Sequence, residues 1–430
     1  MIFGRFDGII TSQKSAHYSQ GDFLMSDEQS RSAFLSYARH LLNSCVAVLL
    51  ALLAGTAVAE PAPVLIGFDG EFGYANSTSA EAISQGINIA IEEINRAGGV
   101  LGGRPLKLIE KANHSVPARS INNIKEFAAT PDMVALFCGR FSPAVLESLP
   151  AINEAQIVLL DPWAAADAIV DNPGRPNFVF RLSLRDSWAM PMMLRYAQSN
   201  KHDHVGLLLL NTSWGRGNLK VAESFIARNR KLKLVGTHWF NWDEKSFLSK
   251  YQNLREAGAS AIVLVSNADE AAILVREVAA LPVEQRVPII AHWGVTGGRM
   301  PALAGEALHQ VDFSVVQTYS FIGARRPQAK KVIAAAKRLY GIQDARSIAS
   351  PTGLAHAYDL THLLSRAINR AGSTDRKAIR AALEQVRNYD GLIRNYAQPF
   401  TAERHEALSP GMLFMAKYAA EDDAIVRIWP

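Results

Sequence analysis

Cysteine is nearly absent, with two in 430 residues, Cys45 and Cys138. That excludes a disulfide scaffold and any cysteine-based zinc finger or ribbon. A surplus of one charge is also missing. Lys+Arg number 45 against 40 Asp+Glu, a net +5. No five basic residues run together, so nucleic acid is not implied. The common enzyme signatures are lacking: no G-x-S-x-G, no G-x-x-x-x-G-K-[ST], no G-x-G-x-x-G and no H-E-x-x-H. His405-Glu406-Ala407-Leu408 stops short of the last of these, having no second His. Beyond residue 59 no stretch of 18 apolar residues occurs, so a soluble mature chain is expected. What remains is globular composition, 49% hydrophobic and 20% charged, in a chain long enough for two or three domains.

The N-terminal 59 residues read as an address. Residues 1–44 are polar and carry Arg31 and Arg39, and Val46–Ala54 is an uncharged apolar core. Ala57-x-Ala59 then offers a small-x-small cleavage site. This is the three-part pattern of a secretory signal peptide, with cleavage expected after Ala59 and export to the periplasm. Either Met1 or Met25 would serve as the start. The alternative is an uncleaved anchor over Leu41–Ala59. Cys45 precedes the apolar run, whereas a lipid-modified cysteine would follow it. After cleavage only Cys138 is left, so no internal disulfide can form.

The mature chain alternates short apolar runs with helical periodicity. Strands are expected at Val64–Phe68, Leu106–Ile109, Met133–Phe137 and Ile157–Leu160. Between them the apolar residues of Glu81–Ala97 recur at helical spacing and Gly98-Gly99 ends that helix. Further helices are expected at Arg119–Ala128 and Pro143–Ala155. The pattern restarts with strands at Val205–Leu210, Leu232–Thr237, Ala261–Val265 and Pro288–Ala291. Helices around Leu219–Arg228, Glu244–Ala257 and Asp269–Ala280 separate them. Such alternation means parallel βα units. Two consecutive doubly wound halves follow, divided near Phe180–Ser187. Long helical stretches at Pro327–Tyr340 and Pro351–Ala371 and a shorter one at Asp375–Val386 come after them.

In parallel sheets, ligands meet the loops at the carboxyl ends of the strands. Here those loops are Asp69-Gly70-Glu71-Phe72-Gly73-Tyr74, Cys138-Gly139-Arg140-Phe141-Ser142-Pro143, and Asp161-Pro162-Trp163-Ala164-Ala165-Ala166. In the second half they are Asn211-Thr212-Ser213-Trp214-Gly215 and His292-Trp293-Gly294. Ser142 before Pro143 reads as a helix N-cap whose amides suit an anion; plain capping is the bland alternative. Trp163, Trp214 and Trp293 at three such loops point to an aromatic-lined cleft. Asp161 offers a base without a partner at useful spacing. His202 and His204 read as a solvated turn, Cys138 as a buried inert thiol, and Lys330, Lys331, Lys337 and Arg338 as a solvated helix face.

These residues resemble the leucine/isoleucine/valine-binding protein family, the type I periplasmic solute-binding proteins of ABC importers. One stretch is Gln85-Gly86 through Ala90, Ile94-Asn95, Gly98-Gly99 and Gly102-Gly103. The others are Gly139–Ser142 with Pro150 and Pro162-Trp163-Ala164, and Ala355–Leu360 with Ala371-Gly372. The resemblance covers about 64–400. It implies an α/β fold of two Rossmann-like lobes joined by three crossings, near Arg181–Ser183, Val316–Tyr319 and Leu392–Ala397. Lobe 1 would then be 60–182 plus 319–394, and lobe 2 183–318 plus 395–430. It also implies a monomer that closes on a small solute, docks to an inner-membrane permease, and performs no chemistry. No cofactor and no metal are expected.

Carried over residue by residue, the resemblance gives Ser142 the solute's carboxylate and places Ala164 and Ala165 where the family offers a carbonyl and a Thr hydroxyl. Ala165 has no hydroxyl. Trp214 takes the place of an aromatic before Gly. The family's acid for the solute's ammonium falls at His292-Trp293-Gly294, where no carboxylate stands. A buried ammonium without counter-charge costs several kcal/mol. A zwitterionic amino acid should therefore be rejected unless Glu71, Asp69 or Asp161 substitutes. The expected binding set is Arg140, Phe141, Ser142, Trp163, Ala164, Ala165, Trp214 and Trp293, with Tyr74 and Glu71. The expected solute keeps an acid or amide end at Ser142 and presents an aromatic or apolar body, or a quaternary ammonium in a Trp cage. Two other readings compete: a periplasmic sensor serving a signalling partner, and a flavodoxin-like enzyme.

Overall fold

The structure is a computed structural model that describes residues 27–53, 61–74 and 76–430. The chain divides into two units, 1–60 and 61–430. In the first, helix α1 (Asp27–Leu53) contains most of the apolar run Val46–Ala54. The expected cleavage site after Ala59 lies outside the described residues. Among the described residues no helix is long and apolar enough to cross a membrane.

In the second unit, β-branched and leucine-rich runs become inner strands buried on both faces, as a parallel sheet covered by helices requires, while most strands at the sheet edges are partly exposed. The chain runs β1 (Val64–Gly70), α2 (Ser79–Arg96), β2 (Leu106–Ala112), α3 (Pro117–Ala129), β3 (Met133–Cys138), α4 (Ser142–Ala155), β4 (Val158–Asp161) and β5 (Val179–Arg181). These strands form a parallel five-stranded sheet in the order β2-β1-β3-β4-β5. The next elements are α5 (Asp186–Ser199), β6 (His204–Leu210), α6 (Ser213–Ala227), β7 (Lys233–Phe240), α7 (Leu248–Glu256), β8 (Ala261–Val265) and α8 (Ala268–Ala279). They are followed by β9 (Ile289–Ala291), two short helices, α9 (Met300–Ala304) and α10 (Ala307–Gln310), and β10 (Phe313–Gln317).

Helices α11 (Pro327–Tyr340), α12 (Pro351–Ala371) and α13 (Arg376–Leu383) return to the first sheet, where α12 packs along α2. A small hairpin follows, β11 (Tyr389–Asp390) and β12 (Asn395–Tyr396). The chain ends in β13 (Phe414–Tyr418) and β14 (Ile425–Trp429), which join the second sheet antiparallel beside β10. That sheet is ordered β14-β13-β10-β9-β8-β6-β7. Its parallel part repeats the 2-1-3-4-5 order of the first sheet, so the restart seen in the sequence is a repeat of topology. Each half reverses strand order once, between β1 and β3 and between β6 and β8, and the crevice at such a reversal is where an α/β sheet takes its ligand.

The third crossing differs from expectation. The first two leave β5 at Arg181 and β10 at Gln317, but Leu392–Ala397 does not cross. The Tyr389 and Tyr396 hydroxyls donate to Asp359 of α12, at 3.0 and 2.8 Å, and hold the hairpin there. Residues 405–407 then run beside β5: Arg181 N–H donates to the His405 carbonyl and Ala407 N–H to that of Arg181. The chain leaves the first lobe only over 407–413. The expected division at residue 394 is therefore early. Two buried attachments, the carboxylate of Asp359 and the guanidinium of Arg181, keep 395–406 with the first lobe.

Candidate functional site

The loops at the facing strand ends enclose a cavity of about 10 Å³, room for roughly one water. Arg140, Phe141, Ser142, Pro143, Trp163 and Ala165 line it from the first lobe, and Leu210, Trp214, Asn267, Trp293 and Gly294 from the second. The indoles of Trp163 and Trp293 meet across it with ring centroids 5.2 Å apart. Glycines make their positions possible. A Cβ on Gly353 of α12 would come within 2.7 Å of the Trp163 ring, and one on Gly294 within 2.7 Å of the Trp214 ring.

Ser142 sits at the cavity, though not as an N-cap. It is the first helical residue of α4, Phe141 holds the cap position, and no side chain caps the helix. Its Oγ instead accepts the N–H groups of Ala165 and Ala166, at 3.1 and 3.2 Å. The hydroxyl proton remains for a solute acceptor. Ala165 lines the cavity, but Ala164 does not, because its carbonyl is drawn to Arg181 Nη1 at 3.1 Å.

The three carboxylates expected as substitutes for the missing acid are engaged away from the cavity, though one oxygen each of Glu71 and Asp161 has no hydrogen-bond partner. Asp69 accepts from Asn113 at 2.8 Å, Asn123 at 2.7 Å, and Ser120, and burial raises its pKa. Asp161 is fully buried; desolvation pushes it up to about 7, while Arg181, 4.0 Å away, opposes that rise. Glu71 accepts from Ser77 and Ser79 and lies 3.7 Å from Arg140 Nε. None of the three lines the cavity. Among the described residues the only charged side chain that does is Arg140, 8% exposed, whose Nε and Nη1 have no hydrogen-bond partner. With the N-terminus of α4 beside it, the cavity is electrically suited to an anion.

Expected residues thus separate into groups. Arg140, Phe141, Ser142, Trp163, Ala165, Trp214 and Trp293 come together. Glu71 stands behind Arg140, and Tyr74, 45% exposed, lies outside. Sequence reasoning misses Asp186, which begins α5 just after the first crossing. Its Oδ1 accepts the Trp214 indole N–H at 3.1 Å, and His292 Nε2 lies equally near. It also missed Trp242, which meets Phe141 at 5.2 Å, and His356 of α12. His356 Nδ1 lies 2.7 Å from the Pro162 carbonyl and Nε2 lies 3.0 Å from the Thr318 hydroxyl. Since a carbonyl only accepts, Nδ1 carries the hydrogen. The ring also contacts Trp293, at 5.9 Å. The unfinished zinc-like motif proves structural: His405 stacks on Phe180 at 4.0 Å, and Glu406 pairs with Arg181 at 2.6 Å. Among the described residues no group of three His, Cys, Asp or Glu side chains could hold a metal ion.

The family model for periplasmic binding proteins matches residues 63–422. The chain belongs to that family. It is similar to Leu/Ile/Val-binding protein homolog 2 of Brucella abortus, 22% identical over 385 residues, which cover 86% of this chain and 94% of the relative. The fold is that of the branched-chain amino acid transporter substrate binding protein LivJ from Streptococcus pneumoniae, solved with isoleucine. That match has TM-score 0.71 and 19% identity, covering 86% of this chain and all of the other. It is shared by an ABC transporter solute binding protein from R. palustris solved with 4-hydroxybenzoate, with TM-score 0.70 and 14% identity over 86% and 96%. Type I periplasmic binding proteins are therefore the fold class of this chain, and its relatives are binding proteins rather than enzymes.

Proposed function

We propose that this chain is the periplasmic solute receptor of an ABC importer, and that its solute is a small acid or amide with a flat aromatic or apolar body. The observation that carries the reading is the cavity wall: three indoles, one unsatisfied guanidinium and no carboxylate. The Arg140 guanidinium and the Ser142 hydroxyl take the acid end, and Trp163, Trp214 and Trp293 take the body. Such rings bury about 150–250 Å² each. An α-amino acid would bring an ammonium that finds no partner here, which disfavours it strongly. One neighbour of the same fold binds isoleucine and another 4-hydroxybenzoate, so the scaffold admits both kinds of solute and the lining decides between them.

The lobes must part to admit the solute, since a cavity of about 10 Å³ has room for roughly one water, whereas a cavity known to hold benzene is ~150 Å³. Closure then buries the solute against both lobes and stabilises the closed form by the difference in contact. The receptor acts as a monomer, exported by a signal peptide cleaved after Ala59, and hands the solute to an inner-membrane permease.

Titration calorimetry with benzoate, 4-methylbenzoate, leucine and valine tests this. Binding of the aromatic acids is expected, weakened at least about tenfold, ~1.4 kcal/mol, in Trp293→Ala. Tight binding of leucine or valine with neither aromatic acid bound would overturn it.

A further inference from the structure

Beside the inner cavity lies a second chamber of about 210 Å³, which shares Arg140, Phe141 and Asn267 with it. Its other walls include the rings of Tyr74 and Trp242 and three carboxylates, Asp243, Asp269 and Glu270. Glu270 is only 7% exposed, yet its Oε2 has no hydrogen-bond partner. An ionised carboxylate withdrawn from water and left unpaired is costly unless a cation meets it. Burial raises its pKa, with Asp269 and Asp243 adding to the rise and a backbone hydrogen bond and the charge of Arg140 opposing it.

Among the described residues no cationic side chain hydrogen-bonds to Glu270 Oε2. Asp269 is held by the Asn76 amide. Arg140 is the only basic residue among the described residues lining the chamber; its charge lowers the pKa of Glu270 but less than burial raises it, no hydrogen bond joins the two, and its guanidinium is the group that takes the solute's acid end in the inner cavity. With Arg140 engaged by the solute's acid end, the three carboxylates face the chamber without a base of their own. The rings add to this. Trp242 stands 5.2 Å from Phe141, and aromatic faces next to acids favour an ammonium or guanidinium.

We propose that the outer chamber receives a positively charged amine, amidine or guanidine group of the solute, with Glu270 as its counter-charge and Trp242 and Tyr74 as its walls. This rests on the inner cavity taking the solute's acid end. Together the two chambers describe a solute whose anionic and cationic ends are held apart by a flat body. An α-amino acid, with its charges on one carbon, is the wrong shape.

Calorimetry on the full chain at pH 7 uses 4-(aminomethyl)benzoate, 4-methylbenzoate and benzylamine as probes, with the Glu270→Gln and Trp293→Ala variants. The aminomethyl acid should bind at least tenfold more tightly than the methyl acid. Glu270→Gln should erase that ratio while leaving 4-methylbenzoate affinity unchanged, which also shows the variant to be folded; Trp293→Ala should weaken both acids. Equal affinity of the two acids, or a ratio that survives Glu270→Gln, overturns the proposal. If neither acid binds but benzylamine does, and Glu270→Gln abolishes it, the cation chamber stands and the acid reading of the inner cavity falls. No binding of any probe overturns both.

Discussion

His356 shows how much one buried side chain can set at this site. It joins α12 to the Pro162 loop and to Thr318 at the second crossing while its ring supports Trp293. Burial pushes its pKa down to about 4. The folded chain therefore keeps it neutral where an unfolded chain would protonate it. The sign follows from linkage: stability is lost as pH falls from about 6.5 to about 4, by ~3 kcal/mol. Asp161 acts in the opposite sense, because burial raises it to about 7 and stability then falls as pH rises over much of the same range. The wild-type profile mixes the two, so the comparison must be with His356→Asn. Denaturant unfolding should show the wild type's advantage at pH 7 shrinking toward pH 4.5; parallel profiles would show that His356 does not titrate as described. The sequence marked the indoles of the site but not this histidine. A strand-end loop reveals its residues by position in the chain, whereas His356 arrives from a helix nearly 200 residues after the loop it holds.

The helix pair α2 and α12 joins the two sequence segments that make up the first lobe. It rests on Gly86, where an added Cβ would overlap the Leu354 carbonyl of α12. Backbone cannot yield as a side-chain tip does, so Gly86→Ala should cost about 1–3 kcal/mol, read as a lower denaturation midpoint at unchanged slope. The crossings are pinned differently. Arg181 is fully buried and makes a fork with Glu406, at 2.6 and 3.0 Å, across 225 residues of sequence. Glu406→Gln should cost about 3 kcal/mol by leaving the guanidinium short of charge, whereas Arg181→Met with Glu406→Leu should recover much of it. A double variant no more stable than the single one would mean that the segment needs the ions themselves. This pair also explains why the third crossing lies later in the chain than the sequence suggests. Periodicity locates strands and helices from neighbours in sequence, and here it found both doubly wound halves. The placement of 395–406 depends instead on two long-range buried contacts, with Asp359 and with Arg181, that leave no local pattern.

At the scale of the whole molecule, the two lobes meet through more than the cavity. Thr78 N–H donates to the Gly297 carbonyl and Arg299 N–H to that of Asn76, both at 3.0 Å. Ser350, at the start of α12, donates to the Thr296 carbonyl at 2.8 Å, and its hydroxyl also lies 2.7 Å from that of Thr78. All of these link the first lobe to the loop after β9, so closure has a contribution that does not pass through the solute. Such a contribution tunes affinity: the more populated the closed form, the less of the solute's binding free energy is spent on closing. Removing one buried hydrogen bond costs about 1 kcal/mol. Ser350 makes no hydrogen bond to a residue of either chamber, so Ser350→Ala should weaken solute binding about fivefold, equally for every solute, by favouring the open form. Small-angle scattering should show the solute-free variant at a larger radius of gyration than the wild type, and saturating solute should bring the two together. Solutes that bind the wild type should raise its stability by about 2.7 kcal/mol at a hundred times the dissociation constant. In Ser350→Ala that gain should be unchanged at the same multiple of its own, weaker constant. A loss of affinity that differs from solute to solute would instead place Ser350 in the binding surface, and an unchanged radius would mean that the contacts between the lobes do not set their equilibrium.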